Sequence, residues 1–159
     1  MSNPQDMITK AKAFNPNAVT YKKATLNKSG GKNVFLELKG APIVLQFPLM
    51  LTWGTNERVD ERSGRVSYDL ALQFSRGKSK SEDKFQDALA HLQEKILTDS
   101  VQNSKDWFGK AKTSIELLKE LMYPILKYPK KKDGSGEFDY DRDPCLKLKI
   151  PYYDGKFIV

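Results

Sequence analysis

One cysteine and one histidine are all the chain offers of the side chains from which most metal centres and nucleophilic sites are built. Cys145 cannot close an internal disulfide, and no metal-ligand spacing surrounds it. A small structural residue at the start of a strand, in a reducing compartment, is what its setting predicts. His91 falls beside the apolar stripe of a helical segment, exposed or half-buried, with no local serine or cysteine motif to complete a catalytic set. No run approaches the roughly 18 apolar residues of a membrane span. The N-terminus lacks the continuous apolar stretch of a signal peptide. "SGGKN" has neither the spacing nor the preceding buried strand of a phosphate loop. These absences predict an intracellular protein that is not an enzyme, carries no cofactor and does not enter a membrane.

Asp139, Asp141 and Asp143 alternate in "FDYDRDP", a spacing that invites a divalent cation. A calcium loop counted from Asp139 needs glycine at its sixth position and glutamate at its twelfth. Pro144 and Ile150 stand there instead, so a solvated turn without metal is expected.

What the chain does have is positive charge. Its 159 residues carry a formal net charge of +7, which favours an anionic partner, nucleic acid before membrane surface. The cations cluster. Lys10, Lys12, Lys22, Lys23, Lys28, Lys32 and Lys39 face only Asp6 and Glu37 in the first forty residues. Arg76, Lys78 and Lys80 form a second group, and Lys127, Lys130, Lys131 and Lys132 a third.

The length is about that of one domain. Residues 1–16, polar with prolines near both ends, predict a flexible N-terminal arm. "NAVTYKKATL" and "VFLEL" predict a hairpin around Gly30-Gly31, and "PIVLQF" a short strand with a buried face. "NERVDERSGR" predicts a charged loop. In "VSYDLALQF" Val66, Tyr68, Leu70, Leu72 and Phe74 share one face of a strand. From Ser81 the period changes: Phe85, Ala88, Leu89, Leu92 and Ile96 make one helical stripe. Ser81 is the expected N-cap, Ser104 that of a short turn, and Thr113 with Glu116 a capping box closed by Pro124. "PILKY" and "CLKLKI" are strands again, and Asp154-Gly155 in "YYDGKF" is a strong hairpin signal. The closing "KFIV" predicts a strand that continues beyond Val159. Phe35, Phe74, Phe85 and Trp107 are expected in the core.

The order is mainly β with a helical insertion at about 81–123 in a single domain over 17–159. An α+β fold like the oligonucleotide-binding barrel, five Greek-key strands with helices between the third and fourth, accounts for it.

A binder of single-stranded nucleic acid needs mobile cations along a groove and rings on which bases stack. Lys127, Tyr128, Lys130, Lys131, Lys132, Lys147, Lys149, Tyr152 and Tyr153 supply both within one region. Alternation in "CLKLKI" sends Lys147 and Lys149 opposite Leu146, Leu148 and Ile150. Carried past Pro151, it puts Tyr153 beside the lysines. Arg76, Lys78 and Lys80 are the next candidates.

"PILKYPKKKDGSGEFDYDRDPCLKLKIPYYDGKF" resembles the C-terminal half of the single-stranded DNA-binding proteins of nucleocytoplasmic large DNA viruses, which carry an oligonucleotide-binding barrel akin to podophage replication proteins. A helix ending in Tyr-Pro, "ILKY" before a lysine turn, "P-x-L-K-L-K-I-P" and the aromatic-Asp-Gly-Lys-Phe hairpin carry the likeness, with "NSKDWFGK" upstream. It covers roughly residues 100–157. It implies a non-enzymatic protein coating single strands, DNA or RNA, during viral DNA replication, recombination or repair. The setting would be the viral replication compartment in host cytoplasm or nucleus, with replication proteins as partners and a monomer or dimer as the unit. The podophage relatives carry an acidic C-terminal tail, whereas this sequence ends "KFIV". The alternative is a viral structural or assembly protein using the small barrel as a protein-interaction module.

Overall fold

In the computed structural model, which describes residues 4–110 and 113–158, thirteen strands, three α-helices and three short 3-10 turns are found. In chain order the strands are β1 (Ile8–Lys10), β2 (Val19–Tyr21), β3 (Thr25–Leu26), β4 (Lys32–Asn33), β5 (Leu36–Leu38), β6 (Ala41–Pro42), β7 (Val44–Gln46), β8 (Leu51–Val59) and β9 (Val66–Gln73), then β10 (Leu126–Lys127), β11 (Cys145–Ile150), β12 (Tyr152–Tyr153) and β13 (Lys156–Phe157). The helices α1 (Lys80–Gln102), α2 (Ser104–Phe108) and α3 (Ile115–Leu121) fall between β9 and β10. The class is therefore mixed α and β, with the helical segment where the change of period put it. None of the described helices is long and apolar enough to cross a membrane. The chain forms two compact units: residues up to Pro48 with Lys84–Pro124, and Leu49–Asp83 with the residues from Ile125 onward.

In the first unit β2, β5 and β6 form one small sheet, β3 pairs with β4, and β1 runs parallel to β7. Residues 8–10 thus pair within the stretch expected to be an arm, and Ala11, Phe14 and Val19 beyond them are buried. Of the expected α1 stripe Phe85, Leu89 and Leu92 are buried while Ala88 and Ile96 are half-buried, and Leu97, outside that stripe, is buried as well. Each buried leucine or phenylalanine contributes about 1.5–3 kcal/mol. Phe85 meets Phe47 with ring centroids 5.0 Å apart. A polar clamp accompanies this core: the Tyr21 hydroxyl donates to Asp99 Oδ2 at 2.7 Å, and Lys95 pairs with the same oxygen. Burial, then the Asp99 carboxylate, push the Tyr21 phenol well above its ordinary range. Burial would raise Asp99, but donation from Lys95 and Tyr21 outweighs it and holds the carboxyl low.

Three caps and two core residues differ from expectation, Trp107 being only half-buried. Ser79, not Ser81, caps α1, since its hydroxyl accepts from the Glu82 N–H at 3.3 Å and its carbonyl from Asp83 N–H at 3.0 Å. The Glu82 carboxylate accepts from the N–H of Ser75 rather than from that of Ser79, so it ties the helix start to the preceding loop instead of closing a capping box. Ser114, not Thr113, caps α3 through the Leu117 N–H at 3.1 Å. Asn103 takes the cap position of α2, and Ser104 turns its hydroxyl to the Val101 carbonyl instead. Phe35 is exposed, because β5 turns Leu36 and Leu38 to one side and the alternation leaves Phe35 with Glu37 on the other.

The second unit is built on an antiparallel sheet in the order β10-β11-β9-β8. The expected charged loop is mostly strand: pairing with β9 templates β8 as far as Val59, and only Asp60–Arg65 turn. Asp60 organises that turn by accepting from the Arg62 and Ser63 N–H groups, bonds that hold its carboxyl below the usual range. The β12–β13 ribbon closes through Asp154 and Gly155 at φ of 50° and 75°, the doubly left-handed turn its Asp-Gly pair demands. A closed five-stranded Greek-key barrel is not present among the described residues. The strands before Pro48 are at most three residues long and pair only among themselves, while β8 and β10 remain the open edges of the four-stranded sheet.

Candidate nucleic-acid interface

Register sorts the four-stranded sheet into two faces. Leu126, Leu146 and Leu72 stand in one cross-strand row, and Leu148 with Leu70 in the next. Leu126, Leu146 and Leu72 are buried. The intervening rows place Lys127, Cys145 and Gln73 together, then Lys147 with Ala71, then Lys149 with Asp69. The two lysines of "CLKLKI" thus lie opposite the leucines, as alternation requires.

A bulge adds a ring to this polar face. The β8–β9 register slips between Thr52 and Thr55, where Gly54 sits at φ 87°. That left-handed conformation suits glycine, and the extra residue re-aims its neighbour. Trp53 consequently donates its indole N–H to Gln73 Oε1 at 3.3 Å. Gln73 in turn donates from Nε2 to the carbonyls of Phe74, Asp143 and Pro144 at 2.9, 3.3 and 3.2 Å. One side chain so fixes both the indole and the loop that follows the aspartates.

Beside this arrangement lies a cavity of about 520 Å³, lined by Trp53, Gln73, Phe74, Ser75, Lys127, Tyr128, Pro129, Asp141, Arg142, Asp143 and Cys145. Its size is that of a small-molecule site. The lysine turn is a short hairpin rising from its edge: Asp139 N–H bonds to the Pro129 carbonyl and Lys131 N–H to the Glu137 carbonyl, both at 2.8 Å. At the tip Asp133 accepts from the Ser135 hydroxyl and N–H, which lowers its carboxyl. Lys130, Lys131 and Lys132 are exposed on this hairpin, with Lys131 paired to Glu137 at 2.9 Å. Three rings accompany them: Tyr128 lies 4.9 Å from Tyr140, and Tyr140 lies 6.3 Å from Phe138, centroid to centroid.

Lys127 and Tyr128 therefore share one wall with groups that sequence reasoning had not joined to them, Trp53 and Arg142. Comparison of the chain with protein-family models, curated proteins and solved structures yields no match. The site is characterised by its own geometry. The signal for Trp53 was its Trp-Gly pair in an otherwise alternating strand, a bulge cue that acquires meaning only once the partner register is known.

The remaining candidates are dispersed around this centre. Lys147 is engaged with Asp69 at 3.5 Å, and Arg58 holds the same oxygen at 2.7 Å, whereas Lys149 is exposed. Arg76, Lys78 and Lys80 are exposed, and the Arg76 N–H donates to Asp143 Oδ2 at 3.2 Å, which ties that turn to the cavity rim. Tyr152 packs against Tyr68 and Phe157, with centroids 4.8 and 4.9 Å away. The Tyr68 hydroxyl donates to Glu57, and that bond raises the phenol. Tyr153 is exposed, but β11 ends at Ile150 and the ribbon carrying Tyr153 is a separate sheet. Pro151 breaks the alternation that would align it with the lysines. The three aspartates do not converge. Asp139 accepts from the Asp141 N–H and Asp143 from Arg76, and no group of three metal-ligating side chains occurs among the described residues.

Proposed function

We propose that this chain binds single-stranded nucleic acid, DNA before RNA, without catalysis and with its polar sheet face and cavity as the contact surface. The observation that carries the reading is the meeting of stacking rings and cations around one concavity: Trp53 and Tyr128 with Lys127 and Arg142, continued by Tyr140, Lys130 and Lys132 on the hairpin. A duplex hides its base faces, so rings at the mouth of a cleft favour unpaired strands. An open sheet presents rings and cations as well as a closed barrel does, and the resemblance of residues 100–157 does not require closure. The same resemblance supports viral DNA replication, recombination or repair as the setting.

Titration of labelled single-stranded and duplex DNA at several salt concentrations tests this. Neutralising about five phosphates gives a log–log salt slope near −3.5, at roughly −0.7 per contact. Equal affinity for duplex, or a flat salt response, would sink the proposal. The second reading, a protein-interaction module, is favoured by β8, whose nine residues are all exposed at a sheet edge. Such an edge is a template for another strand. A change of oligomeric state with concentration, abolished by Thr55→Pro, would favour it over the first.

A further inference from the structure

The wall of the cavity has a feature that phosphate binding does not explain: two carboxylates, Asp141 and Asp143, flank Arg142 within it. A carboxylate repels phosphate and attracts N–H groups. Asp143 already accepts from the Arg76 N–H through Oδ2. Asp141 is exposed on the cavity wall, and in the neighbouring turn it is its backbone N–H that bonds to Asp139, at 3.2 Å. Asp141 therefore lines the same cavity as Trp53 and Tyr128, whose rings offer flat surfaces for a base.

From this geometry we infer that the cavity takes a guanine base, stacked on one of the two rings, with the Asp141 carboxylate accepting from its Watson–Crick edge. Guanine alone presents two N–H groups side by side there, N1–H and the exocyclic amine, which a carboxylate accepts in bidentate fashion. Thymine presents a single N–H between two carbonyl oxygens that repel the same carboxylate. Cytosine and adenine each offer one amino group beside a ring nitrogen that is itself an acceptor. The edge is free only when the base is unpaired, so the assignment rests on the single-strand reading above and sharpens it: binding is tolerant of sequence along the lysine face and selective at one position. Lys127 and Arg142, on the same wall, suit the phosphates flanking that base.

The test compares a short all-thymine oligonucleotide with the same strand carrying one central guanine, by fluorescence anisotropy at low salt, using the full chain and its Asp141→Ala variant. The expected result is roughly tenfold tighter binding of the guanine strand, as a bidentate base contact confers. The preference disappears in Asp141→Ala, where the two strands bind alike and the all-thymine strand binds no more weakly than before, because a carboxylate that repels phosphate and thymine carbonyls is gone. Equal affinities in the unaltered protein, or a preference that survives Asp141→Ala, would overturn the guanine assignment and leave single-strand binding standing. No binding of either strand, with guanosine monophosphate alone still bound, would keep the guanine site and overturn the single-strand function. Failure to bind strand or nucleotide would overturn both.

Discussion

The second unit carries two aromatic groups of similar composition, and they differ in what their faces meet. Tyr68, Tyr152 and Phe157 lie within 4.9 Å of one another, each ring against the other two. Trp53 and Tyr128 instead line a cavity, and the rings continuing from Tyr128, Tyr140 and Phe138, are mostly or half exposed. The first trio is closed by three mutual ring contacts, although Tyr152 and Phe157 stay 39% and 47% exposed; Trp53 and Tyr128 border a concavity that a ligand can enter. Sequence proximity to lysine does not separate the two groups, since Tyr152 and Tyr128 both have lysines within three residues. The cavity does.

The comparison depends on the sheet that supports it, and the largest effect is expected there. Leu146 is 7% exposed in the apolar row between Leu126 and Leu72. Leu146→Ala should cost about 2–5 kcal/mol of stability through the cavity it leaves, read as a lower denaturant midpoint. An unchanged midpoint would show that this row is not the core of the sheet. Next comes the open group. Trp53→Ala should weaken single-strand binding by about 1–3 kcal/mol if a base stacks on it. Because Trp53 is 67% exposed, folding stability should scarcely change. A loss of stability with unchanged affinity would move Trp53 into the closed class.

How much of this was legible beforehand follows from the range of the forces involved. Alternation in "VSYDLALQ" and "CLKLKI", the stripe of α1 and the Asp-Gly turn are local signals, and each appears where its residues stand. The separation of Lys147 and Lys149 from the leucines follows from the same two-residue period. Pairing between distant strands was not legible. β8 carries little strand signal of its own past Gly54 and is held by β9, so the residues from Asn56 to Val59 looked like loop. The cap of α1 shifted by two residues because Glu82 bonds to Ser75, outside the helix. Trp53 and Arg142 escaped notice since they lie about ninety residues apart and meet only through the β8-to-β11 register.

The closed group yields a smaller effect of opposite kind. Tyr152→Ala removes two ring contacts, each worth about 0.5–1.5 kcal/mol beyond area burial. Thermal unfolding should occur at lower temperature while single-strand affinity stays within error of the unaltered protein. If Tyr152→Ala instead weakened binding as much as Trp53→Ala, the distinction between closed and open rings would fail, and the β12–β13 ribbon would join the contact surface.

The smallest effect separates two lysines that alternation alone makes equivalent. Lys147 and Lys149 share a face of β11, yet Lys147 is one of two cations held by Asp69, and its side chain is 21% exposed. An ammonium already paired with a carboxylate neutralises a phosphate less fully, so fewer of the counterions condensed on the strand are released. Lys149 is exposed. Lys149→Ala should therefore flatten the single-strand salt slope by about 0.7, one phosphate's worth, and Lys147→Ala by distinctly less. The Lys147 variant leaves Arg58 as the remaining partner of Asp69, so the carboxylate stays compensated and the fold should persist. Asp69→Asn supplies the converse: with its partner neutralised, Lys147 should come to count as a full contact, and the slope should steepen. Equal changes for the two lysines would mean that the Asp69 pair opens when a strand binds. A change for Lys147 alone would place the phosphate track along β11 toward Cys145 and the cavity rather than toward Ile150.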